Sequence, residues 1–139
     1  MPTSLPLVQL RVLAPIINGL RSCGVDPEPV LESVGSTQTA VDQEGASVHV
    51  MVVHQFVENC AEAAGDRFFC AKIGSQLDPT GWPMISIAIE QARTLGDFLN
   101  TYVAQANQVA SSVTPYVEVR ADTATFGETR RFRPLIEPA

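Results

Sequence analysis

Two histidines, three cysteines and scattered acids are the residues of this sequence whose types could do chemistry. His49 and His54 lie five residues apart, which on a helix puts them on different faces, so a shared metal is not expected. His54 and Glu58 share a helix face, with Cys60 nearby, but that segment supplies too few ligands for a metal site. A Cys–His nucleophile would need a thiol coupled to a base, and no spacing couples Cys23, Cys60 or Cys70 to either histidine. No GxSxG, HExxH, Walker or GxGxxG pattern occurs. The chain is therefore read as not an enzyme, with no catalytic residue, metal or cofactor.

Binding is the remaining class. Small-molecule sites are mostly apolar with a few polar anchors. Trp82, His54, Tyr102 and Phe56 are the candidates to line one. Phe98, at helical spacing from apolar neighbours, reads as core. Trp82, the only tryptophan, is pinned between Gly81 and Pro83 where a helix begins, a position that suits either packing or ligand contact.

The elements that must position these residues come from periodicity. Leu10, Leu13, Ile16, Ile17 and Leu20 form a helical stripe over Leu7 to Arg21, with Pro15 kinking it or setting its true start. Gly24 stops it. Asp26 caps a short second helix that begins at Pro27 and ends at Gly35. Residues 36–46 read as a loop. From Val48 to Ala64 the residues Val50, Val53, His54, Val57, Cys60, Ala61 and Ala64 predict a long helix with one buried stripe. Gly65-Asp66 breaks it, and a shorter helix closes at Gly74. Pro83 opens a helix through Gln91, and Thr94, with Asp97 three places on, caps the next. That helix carries the stripe Leu95, Phe98, Leu99, Tyr102, Val103, Ala106, Val109 and Ala110.

After Pro115 the period changes to two. Val117, Val119, Ala121, Ala124 and Phe126 are placed to share one face of a hairpin that turns at Asp122-Thr123 or in a longer loop. A lone hairpin is marginal in water, so helices should lie beneath it. The fold class is α+β, mainly α: a bundle of four to six helices followed by a C-terminal β-hairpin.

The 139 residues are 45% hydrophobic, enough for one domain with a real core. Only 17% are charged, so some surface should be apolar and open to a partner. The formal charge of −6 speaks against this segment holding nucleic acid by itself. Four arginines fall in the last twenty positions, among them Arg130, Arg131 and Arg133, which read as a solvated or docking edge. The N-terminus lacks the basic region and cleavage site of a signal peptide, and no apolar run nears the ~20 residues that span a bilayer. The expected location is cytoplasmic, with no membrane partner and reduced thiols.

The order of elements resembles the ligand-sensing N-terminal domain of one branch of AraC-type bacterial transcription regulators. The run "VLAPIINGLRSCGVDPEPVLESVG" is similar to that domain's opening helix, turn and short capped helix. Val48, His49 and Val50 match the start of its long helix, Ala64-Gly65-Asp66 its end, and Ile73-Gly74 the close of its next helix. Gly81 through Thr94-Leu95 matches the segment that follows, and Tyr116 to Phe132 the family's turn to strands. The resemblance covers nearly the whole chain. It implies a single regulatory domain over residues 1–139 that binds a small-molecule effector or forms a homodimer. It also implies DNA contact through a C-terminal helix-turn-helix region absent from this sequence, with Arg130, Arg131 and Arg133 near the attachment. The alternative is a ligand-free protein–protein interaction or dimerisation module.

Overall fold

The computed structural model describes residues 5–130. Among these residues seven α-helices precede the C-terminal hairpin, so the class is α+β, mainly α, with more helices than the periodicity predicts. Leu7–Asp78 forms one compact unit, and the residues from Pro79, with Leu5 and Pro6, form a second.

In the first unit, β1 (Leu7–Gln9) pairs antiparallel with β2 (Ser47–His49), Val8 opposite Val48. A 3-10 turn over Leu10–Leu13 then leads into α1 (Ala14–Ser22). The single helix expected from Leu7 is thus a strand, a tight turn and a helix. Pro15, which has no N–H to donate, sits in the first turn of α1 and sets where regular helix begins. The apolar stripe survives the change of geometry, because Leu10, Leu13, Ile17 and Leu20 are all buried.

Helix α2 (Glu28–Ser33) begins where the Asp26 carboxylate accepts the Glu28 N–H at 3.0 Å. Helix α3 (Gln38–Asp42) occupies the stretch expected to be a loop. The Thr37 hydroxyl accepts the Ala40 N–H at 3.2 Å, and buried Val41 anchors the single turn. Two adjacent apolar residues, Ala40 and Val41, leave no period to detect.

Helix α4 (Val50–Ala64) is capped by His49, whose Nδ1 accepts the Met51 N–H at 3.2 Å. Its inward line runs through Val53, Phe56, Cys60 and Ala64. His54, expected on the buried stripe, is exposed instead. Two residues span about 200° of an α-helix, so once Phe56 points inward His54 must point away. Helix α5 (Phe69–Gln76) runs two residues beyond Gly74. The core gathers the α1 stripe with Val30, Leu31, Val41, Phe56, Cys60 and Phe69.

Gly19 lets α1 and α5 approach, since a Cβ there would strike the Ile73 side chain and meet Phe69 Cζ at 3.4 Å. A mid-helix glycine costs ~1 kcal/mol. Burying a side chain such as Phe or Ile returns roughly 1.5–3 kcal/mol, which outweighs that cost.

In the second unit a 3-10 turn (Pro79–Gly81) leads to α6 (Pro83–Gln91), with the bounds that the sequence predicts. Helix α7 (Leu95–Ala106) starts at Thr94, whose hydroxyl accepts the Asp97 N–H at 3.1 Å. The Asp97 carboxylate reaches back past the N-cap to accept the Arg93 N–H at 3.1 Å, so the reciprocal bond of the expected near capping box is shifted by one residue. The helix stops at Ala106, short of Val109 and Ala110.

Strands β3 (Val113–Arg120) and β4 (Thr123–Arg130) pair along their whole length. Val117 lies opposite Phe126 and Val119 opposite Ala124, so these four share a face as expected. The turn is Ala121-Asp122, one residue before the expected Asp122-Thr123, and Ala121 takes a φ of 51°. Helix α6 packs on α7, and α7 packs on β3.

Candidate functional site

The two units hold different members of the candidate set. His54 and Phe56 belong to the first. His54 is exposed on α4, while Phe56 is fully buried in the core, where it serves packing. Trp82 and Tyr102 belong to the second.

Trp82 is the N-cap residue of α6. Its N–H donates to the Pro79 carbonyl at 3.0 Å, and its own carbonyl accepts from Ile85 and Ser86 at 3.0 and 2.9 Å. The backbone is therefore fixed at both sides, yet the side chain is 41% exposed. That exposure places Trp82 outside any sealed core.

Tyr102 stands at the centre of an aromatic row. Its ring stacks on Phe98 with centroids 6.3 Å apart and meets the edge of Phe126 at 5.9 Å. Residues 98 and 102 are one helical turn apart on α7, whereas Phe126 comes from β4, so the row joins helix to hairpin. Burial, and then the Glu128 carboxylate, push the Tyr102 phenol above its ordinary value. It thus stays an O–H donor at neutral pH, with a carboxylate acceptor on the same face of β4 as Phe126. Apolar rings flanked by one donor and one acceptor are the composition that small polar ligands use. Sequence reading takes Phe98 for core and Phe126 for a hairpin face, and the strand register is what brings Phe126 to Tyr102.

Cys60 and Cys70 are poor nucleophiles. Burial, with a smaller effect of Cys70, pushes the Cys60 thiol up to about 12. Burial and then Glu58 also raise Cys70, so both remain protonated near neutral pH. Among the described residues no three His, Cys, Asp or Glu side chains gather as a metal site. No helix among them is long and apolar enough to cross a membrane. Arg130 ends β4 opposite Val113 and is exposed, and Arg131 and Arg133 lie outside the described residues.

A family described as the arabinose-binding domain of AraC transcription regulators, N-terminal, matches residues 24–137. The chain belongs to that family. The match covers most of both units, so the AraC-type sensor domain includes α2 through the hairpin. Membership makes the chain part of a regulatory, ligand-binding family of transcription regulators. No curated protein matches the chain.

Proposed function

We propose that this chain is the effector-sensing part of an AraC-type regulator, acting in the cytoplasm on DNA-binding units attached after it. The observation that supports this most is the row Phe98–Tyr102–Phe126, which couples α7 to the hairpin beside a protonated phenol and Glu128. A small molecule that stacks on these rings and bonds the phenol would favour one seating of α7 on the hairpin over another. A ligand shifts such an equilibrium only by its differential affinity for the two states, so contact with both elements is what the coupling needs. Trp82, at the start of the helix that packs on α7, is the second aromatic contact in this reading. Residues 1–139 act as one regulatory segment, with helix-turn-helix units beyond it.

Arabinose is the first probe, because the family's description names it. A sugar presents C–H faces to aromatic rings and hydroxyls to a phenol and a carboxylate. The test is thermal denaturation with arabinose and other small metabolites, in parallel with DNA binding by the full-length regulator. A rise in melting temperature and effector-dependent DNA binding support the reading. No stabilisation by any compound, together with DNA binding indifferent to all of them, would sink it.

The second reading is a ligand-free interaction module. It is favoured by the large exposed side chains Trp82, Ile89, Leu95, Tyr116, Val119 and Phe126, all in the unit from Pro79.

A further inference from the structure

Charge selects what the aromatic row can hold. Phe98 and Tyr102 lie within 21° of parallel and form a floor, while Phe126, inclined at 62° to Tyr102, forms a wall. Ring faces carry the negative side of the aromatic quadrupole, so they attract a cation within about 6 Å and repel an anion. Glu128 lies two residues beyond Phe126 on the same face of β4, which puts its carboxylate beside the wall. Its charge also reaches the floor, since it helps to raise the Tyr102 phenol. Among the described residues no hydrogen bond or ion pair holds that carboxylate. Arg120 is taken by Glu118, at 2.8 and 2.6 Å, and neither Arg93 nor Arg130 pairs with Glu128.

A ligand seated on these rings strips water from Glu128. A neutral sugar bonds the carboxylate but leaves its charge uncompensated, and an acid adds repulsion from both the carboxylate and the rings. A cation gains from both at once. We infer that the effector of this row carries a positively charged nitrogen, an ammonium or guanidinium group seated between the Phe126 ring and Glu128. It rests on the row being the effector site and adds the ligand's charge and chemical class to that reading. The phenol O–H of Tyr102 then donates to an oxygen elsewhere on the same molecule. The class is therefore a small amine or guanidine that also bears a hydroxyl or carbonyl group.

The test is calorimetric titration of the full chain with choline, ethanolamine and argininamide, each beside an uncharged analogue of matching shape. For choline that analogue has a tert-butyl group in place of the trimethylammonium. Arabinose and acetate complete the set as a neutral sugar and an acid. At least one cation should bind the parent, with its uncharged analogue about tenfold weaker or more. Glu128→Gln, which keeps the size and removes the charge, should weaken that cation by about tenfold, and Phe126→Leu should weaken it too. Far-ultraviolet spectra check that both variants fold, and the comparison of cation with analogue in the parent decides without them. Equal binding of cation and analogue overturns the charge assignment, and so does a cation held equally well by the parent and folded Glu128→Gln. Binding of arabinose or acetate with no binding of any cation also overturns it, and leaves the sensing proposal standing. Silence from these compounds and from the wider metabolite panel would remove both.

Discussion

Tyr102 on α7 meets the edge of Phe126 on β4 at 5.9 Å, and this contact fastens the last helix to the hairpin. Edge-to-face aromatic pairs contribute about 0.5–1.5 kcal/mol beyond the area they bury. A double-mutant cycle of Tyr102→Leu and Phe126→Leu should therefore show a coupling energy of about that size in chemical denaturation. Additive losses would mean that the rings are neighbours without being partners.

Ala121 holds a φ of 51° at the first position of the two-residue turn. The left-handed region costs a residue with a Cβ roughly 1–2 kcal/mol, a penalty that glycine escapes. Glycine pays part of that back through its looser unfolded chain. Ala121→Gly should raise stability by a net of about 1 kcal/mol or a little less, read from the denaturant midpoint. A loss of stability would show that the turn does not strain Ala121.

Tyr116 lies across Gly127, its opposite number in the register. A Cβ at Gly127 would come within 2.5 Å of Tyr116 Cζ and its hydroxyl oxygen. Gly127→Ala should cost about 1–3 kcal/mol through overpacking, unless the ring swings out. Adding Tyr116→Ser should recover most of the loss, and failure to recover it would assign the role of Gly127 to its backbone.

The cysteines should separate by reactivity. Cys23 is exposed, whereas Cys60 is buried and its thiol is pushed up to about 12. At mildly alkaline pH a thiol reagent should modify Cys23 at once and Cys60 only on unfolding. The linkage has a definite sign. Below the ordinary value of 9.0 the neutral thiol is present in both states and its stabilisation is intact. As pH rises from there toward about 12, the unfolded chain loses the proton first and stability falls. Cys60→Ala should flatten that alkaline decline in melting temperature, and an unchanged slope would place the cause elsewhere, Cys70 and Tyr102 being the other groups with raised values.

Long helices and the hairpin were legible because their signals are many residues deep. Pro83 to Gln91, the Thr94 cap and the shared face of Val117, Val119, Ala124 and Phe126 all stand as the periodicity implies. Short elements were not: β1, β2 and α3 have three to five residues each, too few for a period. His54 and Phe56 show a finer limit. Sequence spacing admits either residue to the inward face, and packing against Leu31, Val41 and the α1 stripe selects Phe56. The sequence reading of Trp82 leans to core, whereas the residue is 41% exposed at the start of α6. The aromatic row was hidden because its third member lies on a strand, and register is not written in any one residue.

In the proposed function a small molecule binds the Phe98–Tyr102–Phe126 row. The most direct measurement is the melting temperature of the chain with arabinose and a metabolite panel, for the parent and for Tyr102→Phe. That variant keeps the ring and removes only the hydroxyl. A ligand at one hundred times its dissociation constant stabilises by about 2.7 kcal/mol, a readily measured rise. Such a rise is expected for at least one compound in the parent, and a clearly smaller one in Tyr102→Phe. An equal rise in both would place the ligand away from the row, and no rise with any compound would contradict the sensing role itself.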